Sequence, residues 1–158
     1  MKNIKLLLIG LVAAFALGSC SSSDDEPKPT PQTGDGTVVG QWHMVSWSTL
    51  TAADVYLSFT DAGSFELYQR LYTPAYVHLK GNFSYQNGTL SGNYSDNTAW
   101  GHSYSVSFNT DGTQMTLTST ASAGDVAVFV QSTIPDEITS GVLEASALSR
   151  SEERVRFL

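Results

Sequence analysis

Apolar and polar residues alternate along most of the chain from Gly40 onward, as is typical of β-strands with one buried face. Between residues 54 and 60, for example, Val55, Leu57 and Phe59 share one face. Turn residues separate the alternating segments, and Asn87-Gly88 is the strongest hairpin signal among them. The links between segments are too short for helical crossovers, so neighbouring strands are predicted to pair antiparallel. The candidate strands are residues 41–49, 54–60, 64–72, 76–86, 89–95, 100–109, 114–119 and 125–132.

Eight short strands, each with one apolar face and one face of Ser, Thr and Asn, predict an all-β fold. We expect an eight-stranded antiparallel up-and-down barrel that closes around its own core. A barrel of this size either fills its interior with side chains or holds one small ligand. The residues predicted to point inward are Val55, Leu57, Phe59, Phe65, Leu67, Val77, Leu79, Phe83, Val106, Phe108, Leu117 and Val128.

The alternation stops after the last candidate strand. Thr133 is followed by Pro135 and by the acidic pair Asp136-Glu137, a combination that predicts a helix start. Gly141 weakens a longer helix. We therefore expect a short C-terminal helix up to about Leu148, followed by an extended tail.

The first 19 residues have the layout of a secretory signal peptide: two lysines, an apolar run over 6–17, and two small residues. That run is too short to span a bilayer, which takes roughly 20 residues. Leu17-Gly18-Ser19-Cys20 resembles the lipobox of bacterial lipoproteins. The resemblance implies cleavage before Cys20, the only cysteine of the chain, and attachment of fatty acyl chains such as palmitate to it.

Residues 20–37 are predicted to be a lipid-anchored disordered linker, because residues 21–36 contain no apolar side chain larger than proline. The acidic cluster at 23–26 is similar to the export signal of surface lipoproteins in some Gram-negative bacteria. That similarity implies an outer membrane lipoprotein exposed at the cell surface. The predicted organisation is a signal peptide (1–19), the linker (20–37) and a barrel domain (38–158) whose tail is 134–158.

The charge of the chain argues against nucleic acid as a partner. Removal of the signal peptide takes away Lys2 and Lys5 and leaves six basic against fifteen acidic side chains, a net charge of −9. Arg70 and Lys80 are the only cations between residues 40 and 133. An acidic surface without a basic patch repels phosphate groups, so the predicted membrane contact is the lipid anchor.

No motif in the sequence predicts an enzyme, a metal site or a cofactor. The three histidines, His43, His78 and His102, are not at the i, i+2 or i, i+4 spacing of a zinc site. The run Gly101-His102-Ser103-Tyr104-Ser105 lacks the last glycine of a nucleophile elbow. It also reads as the middle of a strand instead of a strand-to-helix turn.

Gly40-Gln41-Trp42 at the start of the first strand, followed by an eight-strand meander, resembles the lipocalin-like domains of bacterial lipoproteins. The resemblance covers residues 38–132. In lipocalins this tryptophan closes one barrel end, and an arginine near the last strand packs on it. The resemblance therefore implies that Trp42 closes the barrel, with Arg154 or Arg156 as its partner, around an interior that can hold a ligand.

Five residues of consecutive strands share the inward parity and predict an aromatic pocket in which an imidazole orients the polar end of a ligand. They are Tyr85, Tyr94, Trp100, His102 and Tyr104. The alternative for His102 is a half-buried side chain near a barrel end.

Two functions stay open from the sequence. One is a binding module for a small apolar or aromatic molecule. The other is an accessory protein with a filled barrel that binds a protein partner through its outer face or loops. An interior cavity of roughly a few hundred Å³ would favour the first, and a filled interior would favour the second.

Overall fold

The computed structural model describes residues 36–141, 143–144 and 156–158. The predicted signal peptide, the acidic cluster and Cys20 lie outside these residues. The described part of the chain contains no helix that is long and apolar enough to cross a membrane. Its elements are β1 (Gly40–Trp47), β2 (Asp54–Phe59), β3 (Ser64–Arg70), β4 (Val77–Gln86), β5 (Thr89–Tyr94), β6 (Tyr104–Phe108), β7 (Gln114–Ser119), β8 (Val126–Gln131), α1 (Asp136–Ser140) and β9 (Leu143–Glu144).

Strands β1 to β8 form a closed antiparallel barrel in which each strand pairs with the next along the chain. Strand β8 returns to β1, with Met44 opposite Phe129, and this pairing closes the sheet. The predicted fold class is thereby confirmed. The local signals that set the register also hold: Asn87 and Gly88 both have positive φ, 51° and 75°, as a tight two-residue hairpin requires.

One cluster of buried apolar side chains fills the barrel. The predicted inward residues belong to it, with Phe83 at its partly buried margin and Val128 as the exception. On β8 the inward positions are Ala127 and Phe129, which are buried, and Val128 lies between them on the opposite parity. The prediction for Val128 was wrong because valines occupy the outer positions of this strand, so apolarity does not distinguish its faces.

Strand β6 begins at Tyr104 and not at residue 100. It pairs with β5 at only two positions, Thr89 with Ser105 and Leu90 with Tyr104. Before these, Ala99 forms an isolated antiparallel bridge with Asn93, and Trp100 donates its backbone N–H to the carbonyl of Gly92 at 3.0 Å. The seam between β5 and β6 is therefore short, and the loop at 95–103 covers the rest of it.

Helix α1 is only five residues long and ends at Ser140, well before Leu148, with Gly141 as its C-cap. Its last residues are Thr139 and Ser140, which form helices poorly, and the side chain of Pro135 at its N-cap supplies no capping hydrogen bond. After the helix, β9 pairs parallel with the first two residues of β4.

A second, smaller cluster lies on the outside of the barrel. The helical segment places Ile134 and Ile138 against Tyr56 and Tyr68, which are outward-facing residues of β2 and β3. Residues 134–138 thus cover an apolar stripe of the outer surface.

The two ends of the barrel differ. At the end where β1 begins, Trp42 is fully buried, its indole N–H donates to the carbonyl of Val38 at 2.9 Å, and its ring lies 6.1 Å from that of Phe108. Gly36 lies so close to Phe108 that a Cβ there would overlap the ring. We call the opposite end the mouth; the loops 48–53, 71–76, 95–103 and 120–125 surround it.

Candidate functional site

The segment Arg156–Leu158 enters the mouth and completes the core. Phe157 and Leu158 are only 4% and 3% exposed. The ring of Phe157 meets the edge of Trp47 at a centroid distance of 5.1 Å, and it lies 5.6 Å from Phe129 and 6.1 Å from Tyr104. The place where a ligand was expected is therefore occupied by the chain itself.

Three side chains of the barrel bind the backbone of this segment. The N–H of Phe157 donates to Oε1 of Gln69 at 2.8 Å, and the hydroxyl of Tyr104 donates to the carbonyl of Phe157 at 2.9 Å. The hydroxyl of Tyr94 donates to the carbonyl oxygen of Leu158 at 2.5 Å. All three barrel residues are buried, so each contact supplies a partner to a polar group that is costly to leave unpaired.

Arg156 stands at the rim of the mouth and holds the segment from outside. Its guanidinium lies 4.2 Å from the centroid of the Tyr94 ring, and Nη2 binds Oδ2 of Asp96 at 2.9 Å. The hydrogen bond from Arg156, with a second from the backbone of Thr98, lowers the pKa of Asp96 to about 2.

The lipocalin arginine implied by the resemblance is therefore not Arg156. This side chain packs on Tyr94 at the mouth, whereas Trp42 packs with Phe108 at the other end. The difference follows from the insertion of the segment, which carries Arg156 to the mouth. Arg154 lies outside the described residues.

Three of the five predicted pocket residues converge. Phe65 lies between them, with ring distances of 5.7 Å to Tyr94 and 5.1 Å to Trp100, and Trp100 lies 6.4 Å from Tyr104. Gly92 makes room for the indole, because a Cβ there would lie 2.6 Å from Trp100.

Tyr85 does not join this group. It is partly buried near the Asn87-Gly88 turn, and among the described residues its ring has no aromatic contact with Tyr94 or Tyr104. It shares the inward parity of the other pocket residues, but it lies four positions along β4 from Gly81, the partner of Tyr94. Parity fixes the face of the strand on which a residue lies, but it does not fix the position of that residue along the barrel axis.

His102 lies at the rim, with a side chain 31% exposed. Its ring is 5.0 Å from Tyr104, and Nε2 is 3.6 Å from Oδ2 of Asp125, which is too long for a hydrogen bond but suits an ion pair when the imidazole is protonated. The other oxygen of Asp125 accepts from the indole N–H of Trp47 at 2.7 Å and from Thr49 at 2.8 Å. His102 therefore faces a fixed carboxylate instead of the pocket interior.

Burial raises the pKa of both mouth tyrosines. For Tyr104 the charge of Asp125 adds to this effect, and for Tyr94 burial outweighs the opposing charge of Arg156. Both phenols therefore stay protonated at physiological pH. They act as hydrogen-bond donors to an acceptor inside the mouth.

The sequence reasoning missed Gln69 and the segment that binds it. Gln69 is a buried polar residue on the inward parity of β3, after Phe65 and Leu67, and a polar side chain in an apolar row is a signal that could have been read. The segment itself alternates Arg and apolar residues, Arg154-Val155-Arg156-Phe157, which is the pattern of a half-buried extended chain.

A second candidate site is a cleft of about 400 Å³ on the outer surface of β4 and β5 beside the loop 95–103. Nε1 of Trp100 and Nε2 of His102 are buried, and neither has a hydrogen-bond partner among the described residues. The residues that characterise the cleft are Asn82, Ser84, Ser91, Asn93, Trp100 and His102. Its lining combines Asn and Ser side chains with Phe83, Ala99 and Trp100, so a partner would meet both polar and apolar groups there.

A third polar group surrounds Asp54 on the outer surface. The carboxylate accepts from Tyr76 at 2.5 Å and from Arg70 at 2.8 Å, and it contacts Nε2 of His43 at 3.0 Å. Burial opposes ionisation, but the hydrogen bonds of Tyr76 and His43 outweigh it and lower the pKa of Asp54. No group of three or more His, Cys, Asp or Glu that could hold a metal ion occurs among the described residues.

Comparison of the chain with models of protein families, with curated proteins and with solved structures finds no match. The function must therefore be argued from the site.

Proposed function

We propose that the chain is a lipid-anchored protein of the bacterial outer surface whose lipocalin-like barrel binds a small apolar or aromatic ligand at the mouth. The observation that carries this proposal is the seating of Phe157. An aromatic ring lies among Trp47, Tyr104 and Phe129 while buried hydroxyls donate to the adjacent carbonyls. A ligand with an apolar ring and a carbonyl or carboxylate oxygen would satisfy the same groups.

The ligand would take the place of the segment 156–158. Because the segment is covalently attached, it competes with the ligand, and the apparent affinity falls in proportion to the fraction of molecules in which the mouth is open. Binding would therefore release the segment. The proposed role is binding and not catalysis, since Tyr94 and Tyr104 stay protonated and serve as donors.

The lipid on Cys20 and the linker 20–37 would hold the barrel at the membrane surface. Two acyl chains are enough for durable attachment. The barrel is then free to present its mouth to the surroundings.

Native mass spectrometry of the purified protein, followed by fluorescence titration with a panel of apolar aromatic acids and ketones, tests the proposal. We expect saturable quenching of tryptophan fluorescence, because Trp47 borders the mouth. The effect of the hydroxyl is measured in a Phe157→Ala background, in which the segment competes less. There Tyr104→Phe keeps the ring and removes the hydroxyl, so it should weaken binding by about tenfold, the effect of one lost hydrogen bond to a buried acceptor. Equal affinity in both proteins, or no response to the panel, would contradict the proposal.

The filled interior favours a second candidate, an accessory protein that binds a partner through its outer face. The cleft beside the loop 95–103 is where this partner would bind. In that case Ser91→Arg, which places a bulky charge in the cleft, would abolish partner binding, and Tyr104→Phe would leave it unchanged.

A further inference from the structure

The mouth carries hydrogen-bonding groups in the order in which a peptide presents them. Gln69 on β3 accepts an N–H, and Tyr104 on β6 and Tyr94 on β5 donate to two successive carbonyls. Three separate strands thus contact consecutive backbone groups of one extended segment. An apolar ligand such as a fatty acid has no N–H and would leave the buried amide oxygen of Gln69, a residue 3% exposed, without this partner.

We propose that the mouth is a peptide-binding site, and that its ligand class is a short extended peptide with a basic, an aromatic and an aliphatic residue in succession. The segment Arg156–Leu158 is the resident occupant. The inference rests on the proposed function, because it names the ligand class of the same mouth. It also assigns a role to the segment, which occupies the site until a peptide of the same kind displaces it.

Each side chain of the segment has its own recognition contact. The basic residue meets the face of Tyr94 and the carboxylate of Asp96 at the rim. The aromatic residue fills the space between Trp47, Tyr104 and Phe129, and the aliphatic residue is buried in the core cluster. A peptide that lacks the ring would therefore lose the largest buried surface, and one that lacks the basic residue would lose the rim contacts.

A fluorescently labelled synthetic peptide of residues 153–158, titrated into the full chain and followed by anisotropy, tests this inference. In wild type the segment competes, so binding should be weak. Phe157→Ala vacates the ring position, and we expect the peptide to bind this variant at least about tenfold more tightly than wild type. If Phe157→Ala does not fold, Arg156→Ala removes the rim contacts of the resident segment but leaves Asp96 and Tyr94 available to the peptide, so it should tighten peptide binding in the same direction.

Matched peptides separate peptide recognition from apolar binding. Methylation of the backbone nitrogen of the phenylalanine removes the N–H that Gln69 accepts and should weaken binding by about tenfold. Replacing that phenylalanine with alanine should abolish binding. Equal affinity of the methylated and unmethylated peptides would overturn the inference.

An apolar dye, anilinonaphthalene sulfonate, tests the proposed apolar binding site separately from peptide recognition. Binding of the dye to folded Phe157→Ala without any binding of the peptide would overturn the peptide inference and leave the apolar binding site intact. Failure of both probes to bind a variant that remains folded would overturn the proposed function as well. Binding of the peptide that is weakened by methylation of its backbone nitrogen supports both the peptide inference and the proposed function.

Discussion

Phe157→Ala should destabilise the barrel strongly although the residue is the second to last of the sequence. The side chain is 4% exposed and meets three aromatic rings, Trp47, Phe129 and Tyr104. Truncation of a buried phenylalanine costs about 3–5 kcal/mol, and this range includes the cavity that remains. The segment can partly withdraw and relax, so we expect a loss near the lower limit, about 3 kcal/mol.

Urea unfolding followed by circular dichroism measures this loss as a change in the free energy of unfolding at an unchanged slope with denaturant. Tyr72→Ala is the matched control, because Tyr72 is an aromatic residue that is 70% exposed. The control should alter stability by less than about 0.5 kcal/mol. A loss below about 1 kcal/mol for Phe157→Ala would refute the insertion of the segment into the mouth.

Three further predictions concern the tyrosines, one glycine and the anchor. The pKa of Tyr94 and of Tyr104 lies above the ordinary value of 10.0, so the stability that their neutral forms contribute is complete below pH 10.0 and is lost as the pH rises above it. Ultraviolet titration should show both phenols ionising at higher pH than the exposed tyrosines. Ionisation at the same pH as the exposed tyrosines would contradict the burial of Tyr94 and Tyr104. Gly81→Ala should destabilise the barrel in urea unfolding, because its Cβ would overlap the backbone carbonyl of Asn93 on β5. Gly101→Ala is the control, since its Cβ would meet no atom of the described residues within 4 Å, and equal stability of the two variants would contradict the close approach of β4 and β5. Cys20→Ala should leave the membrane fraction or remain an uncleaved precursor, and a cleaved variant that still sediments with membranes would exclude the lipid anchor.

The closed barrel could be predicted from the sequence because its signals are local. Alternation within each strand fixes the buried face, and short turns such as Asn87-Gly88 leave antiparallel pairing as the only connection. The inward set was right except where the outer face is also apolar, at Val128. The predicted start of β6 was wrong because Trp100 is apolar and buried, as an inward strand residue would be, but lies in a loop.

The candidate site was only half predictable because its occupant is distant in sequence. Tyr94 and Tyr104 were identified by parity, but their partners are Leu158 and Phe157, more than 50 residues along the chain. Nothing local to a strand specifies such a contact. The length of α1 was also overestimated. The acidic residues in its first turn do not compensate for the low helix propensity of Thr139, Ser140 and Gly141.

Methyl NMR of the protein carrying a labelled Leu158 tests most directly whether the mouth binds ligand by releasing the segment. Leu158 is 3% exposed, so its methyl signals should be displaced from unfolded-chain positions by the neighbouring aromatic rings. Saturation with a ligand that quenches tryptophan fluorescence should move these signals to the positions of an unfolded chain. Ligand saturation with the Leu158 signals unmoved would place binding outside the mouth and contradict the account.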